Sequence, residues 1–212
     1  MKSVVIVDYG MGNLKSVQRG LEKVGASVVL TSDPTVIASA SRLILPGVGA
    51  FEDGMMGLEN AGILSSINDF VRTGNPLLGI CLGMQMLLNK SEEHGTHKGL
   101  GLISGNVQKI PESCHENITR KIPHIGWTRI EESFYQEWKG SCLEGTKKQD
   151  FFYFVHSFMA VTENKENILA QCEDEGLMIS AAIKRDNITG VQFHPEKSGE
   201  AGLRVLNKFI NL

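Results

Sequence analysis

The chain has 212 residues, 42% of them hydrophobic and 21% charged, with a net charge of −3 made of interspersed acids and bases. A chain of that length can bury a full apolar core without metal or disulfide staples, and it has no Lys/Arg run that would make an electrostatic track for nucleic acid or anionic lipid. No apolar segment approaches the roughly 18 residues that span a bilayer, so the expectation is one domain over residues 1–212 that stays in the cytoplasm and binds neither membrane nor nucleic acid.

In chain order, "SVVIVDYG" is a β-branched run ending at Asp8, and "NLKSVQRGLEKVG" carries Leu14, Val17, Leu21 and Val24 at helical spacing, with Asn13 as N-cap and Gly25 as stop. Strands "ASVVLTS" and "SRLILPG" follow. Leu58, Ile63, Leu64, Ile67, Phe70 and Val71 share a face, which predicts one helix from Met56 to Val71, stopped by "TGNP". Strand "PLLGI" and helix "LGMQMLLNK" come next. The second half reads as strands: "LGLISGNVQKI", "GWTRIEE", "FFYFVHS", "NILAQCE", "LMISAAIKRDN" and "ITGVQFHP". Residues 131–150 have no clear period, and Leu203, Leu206, Phe209 and Ile210 predict a terminal amphipathic helix. The fold class expected is α/β, a mostly parallel central sheet flanked by helices with antiparallel strands added late.

Cys81, Cys114, Cys142 and Cys172 form no C-x-x-C pair, so free thiols are expected and neither a metal nor a cofactor. Cys81 stands apart. In Gly79-Ile80-Cys81-Leu82-Gly83 a strand delivers it into a sharp turn that opens a helix, the geometry of a nucleophile elbow. The flanking glycines suit a crowded turn, the helix start favours a thiolate, and the Leu82 N–H is an oxyanion donor. The plain alternative is a small buried hydrophobe.

A thiol nucleophile needs a base, and "VQFHPEKSG" offers His194 with Glu196 two residues on. In an extended segment the two face the same way, so the carboxylate can orient the imidazole; the plain alternative is a capping histidine beside a solvated glutamate. "LPGVGAF" provides a glycine-rich loop at the same sheet edge, with N–H groups near Gly47, Val48 and Gly49 as further oxyanion donors. It is equally readable as an ordinary turn. It does not complete a nucleotide-binding fingerprint.

Together "LPGVGAF", "GICLGMQML" and "VQFHPEKSG", in this order, resemble the class I (triad) glutamine amidotransferases. More narrowly, "VDYGMGNLKSV", "KIPHIGWT" and "FYFVHSF" resemble the glutaminase subunits of imidazole glycerol phosphate synthases, the histidine-pathway enzymes. The resemblance runs from Val4 to Phe209 and implies a glutaminase that cuts the side-chain amide of L-glutamine. Cys81 would attack, His194 would move the protons and Glu196 would orient His194. Leu82 and, after a peptide reorients, Val48 would hold the oxyanion. Gly47, Gln85, Ser157 and Phe158 match positions that hold the substrate.

The resemblance also implies a heterodimer with a (β/α)₈ cyclase, in which Asn13, His124, Trp127 and Lys197 match interface positions. The sequence itself holds no second set of motifs for a phosphorylated acceptor, which points to an acceptor site on another chain. Two departures, Phe158 for the family's tyrosine and Thr128 for its asparagine, leave a paralogue with another acceptor, such as an amino-sugar synthase, as the alternative. Two readings outside the family also stand here, a cysteine peptidase and a non-catalytic partner with a vestigial triad.

Overall fold

The computed structural model of the chain describes residues 2–112 and 120–212, so Cys114 lies outside the described residues. Strand β1 (Lys2–Val7) feeds helix α1 (Leu14–Lys23). Gly25 ends α1 as expected, at φ +88° and with its N–H donating to the Glu22 carbonyl at 2.9 Å. β2 (Ala26–Thr31), α2 (Pro34–Ala38) and β3 (Leu43–Gly47) follow. Helix α2 is too short for periodicity to reveal. Its signal is its start, where the Asp33 carboxylate accepts from the N–H groups of Thr35 and Val36 and Pro34 fills the first turn.

The helix expected from Met56 to Val71 is two helices, α3 (Phe51–Asn60) and α4 (Leu64–Arg72). Gly62, at φ +67°, turns the chain between them, so Leu58 and Ile63 are both fully buried on separate axes. Strand β4 (Leu77–Cys81) runs straight into α5 (Leu82–Met86), which is shorter than "LGMQMLLNK" suggests. The carbonyls of Met86, Leu87 and Leu88 accept from Leu100, Leu102 and Gly101 instead of continuing the helix.

The remaining elements are β5 (Lys90–Ser91), β6 (His97–Lys98), β7 (Gly105–Lys109), β8 (His124–Thr128), β9 (Glu131–Glu132), β10 (Phe152–His156), β11 (Phe158–Thr162), β12 (Ile168–Asp174), β13 (Leu177–Arg185), β14 (Ile188–Val191) and α6 (Gly199–Ile210). Residues 133–150 are irregular yet packed. Trp138 Nε1 donates to the Leu169 carbonyl at 3.0 Å, and Cys142 and Leu143 are buried, so contacts of the core rather than a repeat order this stretch.

The main sheet has eight strands in the order β2-β1-β3-β4-β14-β13-β12-β9, parallel from β2 to β14 and antiparallel beyond. A two-stranded ribbon, β10-β8, and a four-stranded sheet, β11-β7-β5-β6, lie outside it. This is the α/β class expected from the sequence.

Alternation divides the parallel strands between two cores. Val4, Ile6, Ile44, Leu78 and Ile80 pack with Val17 and Leu21 of α1 and Val205, Leu206 and Phe209 of α6. Val5, Val7, Leu43, Leu45 and Leu77 pack with Ile37, Phe51, Leu58, Ile67 and Phe70 on the other face. Covering both faces explains why these strands read as unbroken apolar runs. Each fully buried phenylalanine or leucine contributes about 1.5–3 kcal/mol. In α6 it is Val205, not Leu203, that joins the buried stripe. No helix among the described residues is long and apolar enough to cross a membrane.

Candidate active site

Cys81 closes β4 and opens α5 with φ +54° and ψ −111°, a conformation that a residue with a side chain adopts only when its surroundings over-determine it. The flanking glycines do so. A Cβ on Gly83 would lie 1.8 Å from the Leu45 carbonyl oxygen, and one on Gly79 would lie 2.8 Å from the Gly83 carbonyl. The turn therefore holds β3, β4 and α5 in backbone contact. With only five residues, α5 offers its unpaired N–H groups rather than a long helix dipole at this turn, and the Cys81 side chain caps none of them.

Register decides what stands beside the thiol. Gly47 of β3 pairs with Cys81, and on the other side Gly190 and Val191 of β14 pair with Gly79 and Ile80. The "PGVG" loop thus leaves the sheet next to Cys81, and so does the segment leading to His194. Gly47, expected to hold substrate, has no side chain to present to the cleft. It is buried where a Cβ would come within 2.7 Å of the Tyr9 hydroxyl and 2.9 Å of the Leu82 Cβ, so its smallness is a packing need. Val48 and Gly49 carry the loop onto the cleft, with Val48 partly exposed.

His194 Nδ1–H donates to Glu196 Oε1 at 2.7 Å, with both side chains buried. Residues Pro195–Lys197 form a single tight helical turn rather than an extended segment, and the Ser198 hydroxyl donates to the His194 carbonyl at 2.6 Å to hold that turn. Burial alone would lower the pKa of His194. The Cys81 and Glu196 side chains outweigh it and raise His194 from 6.5 to about 9. His194 therefore has a proton to give at neutral pH.

A cleft of about 1010 Å³ joins Val48, Cys81, Leu82, Gln85, Ser157, Phe158 and His194, and extends toward Glu92, Lys109 and Arg120. Gln85 Nε2 donates to the Phe158 carbonyl at 3.1 Å and to Gln192 Oε1 at 3.0 Å, which leaves Oε1 as its open acceptor. Tyr9 and Gln192 are contacts that motif reading misses. The Tyr9 hydroxyl donates to the Pro46 carbonyl at 2.6 Å, and burial, with Cys81 nearby, pushes its pKa well above the usual phenol range.

His156 Nδ1–H donates to the Phe158 carbonyl at 2.8 Å. Burial pushes its pKa down to about 4, against that bond. Between pH 4 and 6.5 the unfolded chain binds a proton at this position that the native chain does not, so stability falls as pH drops through that window. The loss is up to about 3 kcal/mol. His194, raised, acts in a separate window: its contribution is full below 6.5 and lost as pH climbs toward 9. Thermal melts of His156→Asn, which keeps a donor toward Phe158, are expected to lack the acid slope of the wild type; equal slopes would refute the assignment.

Four residues were expected on a partner-facing surface. Asn13, Trp127 and Lys197 are exposed. His124 is not: it is buried, bonded through Nε2 to the Thr128 hydroxyl at 3.0 Å and stacked on Phe154 at 5.2 Å. Alternation along β8 turns His124 inward and Ile125 and Trp127 outward. Trp127 meets Tyr153 edge-on at 5.8 Å, Lys197 Nζ lies 5.7 Å from the same ring, and Tyr153 lies 6.4 Å from the His194 ring. The exposed aromatic patch is one ring away from the base.

Comparison with known proteins places these features in context. The family model "Glutamine amidotransferase class-I" matches residues 5–212. The chain is 50% identical over 213 residues to imidazole glycerol phosphate synthase subunit HisH 1 of Legionella pneumophila strain Lens, covering 100% of both chains. It is 47% identical to subunit HisH of Methanosarcina barkeri, also over 100% of both, and 45% identical to that of Syntrophotalea carbinolica over 97% and 98%. Among solved structures, PurLQS from Thermotoga maritima aligns with a TM-score of 0.69 at 19% identity, covering 100% of this chain and 99% of that one. A crystal structure of a glutamine amidotransferase aligns at 0.70 and 18%, covering 98% and 99%, a likeness of fold.

Proposed function

The chain belongs to the class I glutamine amidotransferases, and from that premise we propose that it is the glutaminase subunit of imidazole glycerol phosphate synthase in histidine biosynthesis. The observation that carries the reading is the strained Cys81 elbow lying beside the His194–Glu196 pair in a chain that aligns from end to end with such subunits.

The Cys81 sulfur attacks the side-chain amide carbon of L-glutamine and forms a C–S bond, while charge moves onto the amide oxygen. The N–H groups of Leu82 and, after its peptide turns inward, Val48 hold that oxygen. The His194 imidazolium gives its proton to the departing nitrogen, which leaves as ammonia. Neutral His194 then takes a proton from water as the water attacks the thioester, and glutamate leaves. Glu196 keeps His194 in one tautomer throughout. Gln85 Oε1 accepts from the substrate, and the main chain at Ser157 and Phe158 lines its other side.

Ammonia made here is used elsewhere, and we assign a (β/α)₈ cyclase chain as the partner. Its docking face is the patch of Ile125, Trp127, Tyr153 and Lys197, with Asn13 beyond. The test mixes the chain with the cyclase, glutamine and the phosphoribosyl acceptor and measures imidazole glycerol phosphate. Glutamine-dependent product supports the reading, whereas ammonia delivered only to another acceptor, such as a nucleotide-linked sugar, would replace it. Trp127→Ala is expected to weaken the complex about thirtyfold or more, as loss of an aromatic anchor does, with hydrolysis at saturating cyclase close to wild type; unchanged affinity would move the interface elsewhere.

A further inference from the structure

We propose that Gln192 is a positioning residue for the nucleophile: its side-chain amide, oriented by a relay that starts at the Phe158 carbonyl and passes through Gln85, donates an N–H to the Cys81 sulfur and holds it in the anionic form. The proposal deepens the glutaminase reading and rests on Cys81 being its nucleophile.

Gln192 follows β14, and the pairing of Val191 with Ile80 brings it level with Cys81 on the neighbouring strand. It is fully buried, and its own N–H bonds the Ala181 carbonyl at 2.9 Å. Phe193 turns to the opposite side, against Phe152 at 4.4 Å, and His194 returns to the side of Gln192. The sulfur therefore meets the Gln192 amide, and the catalytic imidazole follows two residues later on the same short segment.

The direction of the amides follows from donors and acceptors alone. A backbone carbonyl only accepts, so Gln85 must turn its nitrogen to Phe158, at 3.1 Å. The reversed amide would set oxygen against oxygen. The second N–H of the same nitrogen reaches Gln192 Oε1 at 3.0 Å, so Gln192 must in turn point its nitrogen at Cys81 Sγ, 3.7 Å away and within reach for sulfur. An amide N–H stabilises a thiolate far more than a thiol, because hydrogen bonds to charged acceptors are the stronger ones. His156 secures the origin of the relay. It adds a second donor to the Phe158 carbonyl and, with its pKa pushed down to about 4 by burial, it stays neutral at the pH of catalysis.

The test uses Gln192→Met, which keeps the volume and loses the donor, and Gln192→Glu, which sets an acid where the donor was. Iodoacetamide alkylation of the Cys81 peptide is followed by mass spectrometry against pH. The midpoint is expected to rise by about one pH unit in both variants, and kcat/KM in the cyclase complex at neutral pH to fall about tenfold or more, mostly in kcat. A role in packing alone would lower the melting temperature and leave the midpoint in place, and that result in folded Gln192→Met overturns the proposal. Wild type provides an independent measurement: the Gln192 side-chain amide resonance should titrate with the alkylation midpoint and stop titrating in Cys81→Ala. A flat resonance in wild type also overturns it. Hydrolysis surviving in Cys81→Ala would defeat the glutaminase reading itself, whereas an inactive Cys81→Ala with an unshifted midpoint in Gln192→Met defeats the relay alone.

Discussion

Cys81→Ala is expected to reduce glutamine hydrolysis by about four orders of magnitude or more, because removing a covalent nucleophile leaves only binding and oxyanion contacts. The fold should hardly notice. The substitution deletes one buried sulfur atom and keeps the turn, at a cost of about 1 kcal/mol. The His194–Glu196 bond and the exposed patch around Trp127 do not depend on the sulfur. The measurement is glutamate release with the cyclase present, alongside a thermal melt and a binding titration. Turnover within tenfold of wild type would remove Cys81 from the mechanism, and a collapsed melt would make its role structural.

Gly83→Ala is expected to be damaging for a different reason. The added methyl would sit 1.8 Å from the Leu45 carbonyl oxygen. That contact is with backbone, so relief requires α5 to lift away from β3. The displacement carries the elbow with it, and misplacing a reacting atom by about 1 Å costs about a hundredfold in rate. Destabilisation of about 3 kcal/mol or more should accompany it. Gly74→Ala is the control. Gly74 has a positive φ, +78°, which Gly83 in its helix does not, but nothing lies within 4 Å of the position its Cβ would take, so only modest backbone strain is expected and activity should persist. Equal effects in the two variants, read by melts and glutamate release, would mean that crowding against Leu45 is not what makes Gly83 necessary.

The parts of the site that depend on neighbours in sequence were legible from the chain alone. Gly79, Cys81 and Gly83 lie within one turn, and His194 with Glu196 within another, so local geometry is enough to pair them. Tyr9 and Gln192 escaped because their roles exist only once strands are aligned: Tyr9 reaches Pro46 across the β1–β3 boundary, and Gln192 reaches Cys81 across β14–β4. A register built by matching Gly190 with Gly79 would have exposed Gln192.

Two residues singled out by motif matching are buried rather than presented at a surface. His124 and Gly47 are near the expected places, but alternation turns one inward and crowding closes the other. The broken helix after Met56 and the brief α2 were hidden for the opposite reason, a shared apolar face in one case and too few residues in the other.

The pairing of Gly47 with Cys81, and of Val191 with Ile80, has a consequence for how this chain tolerates insertions and deletions. Successive side chains on a strand alternate faces, so losing or gaining one residue within Leu77–Cys81 would swing the thiol from one core to the other and away from His194. The same holds for the four residues of β14. Connections at the far edge of the sheet, such as Thr73–Pro76, carry no such parity. Length variation is therefore affordable at one end of the sheet and forbidden in the three strands that end at the site, whatever residues occupy them.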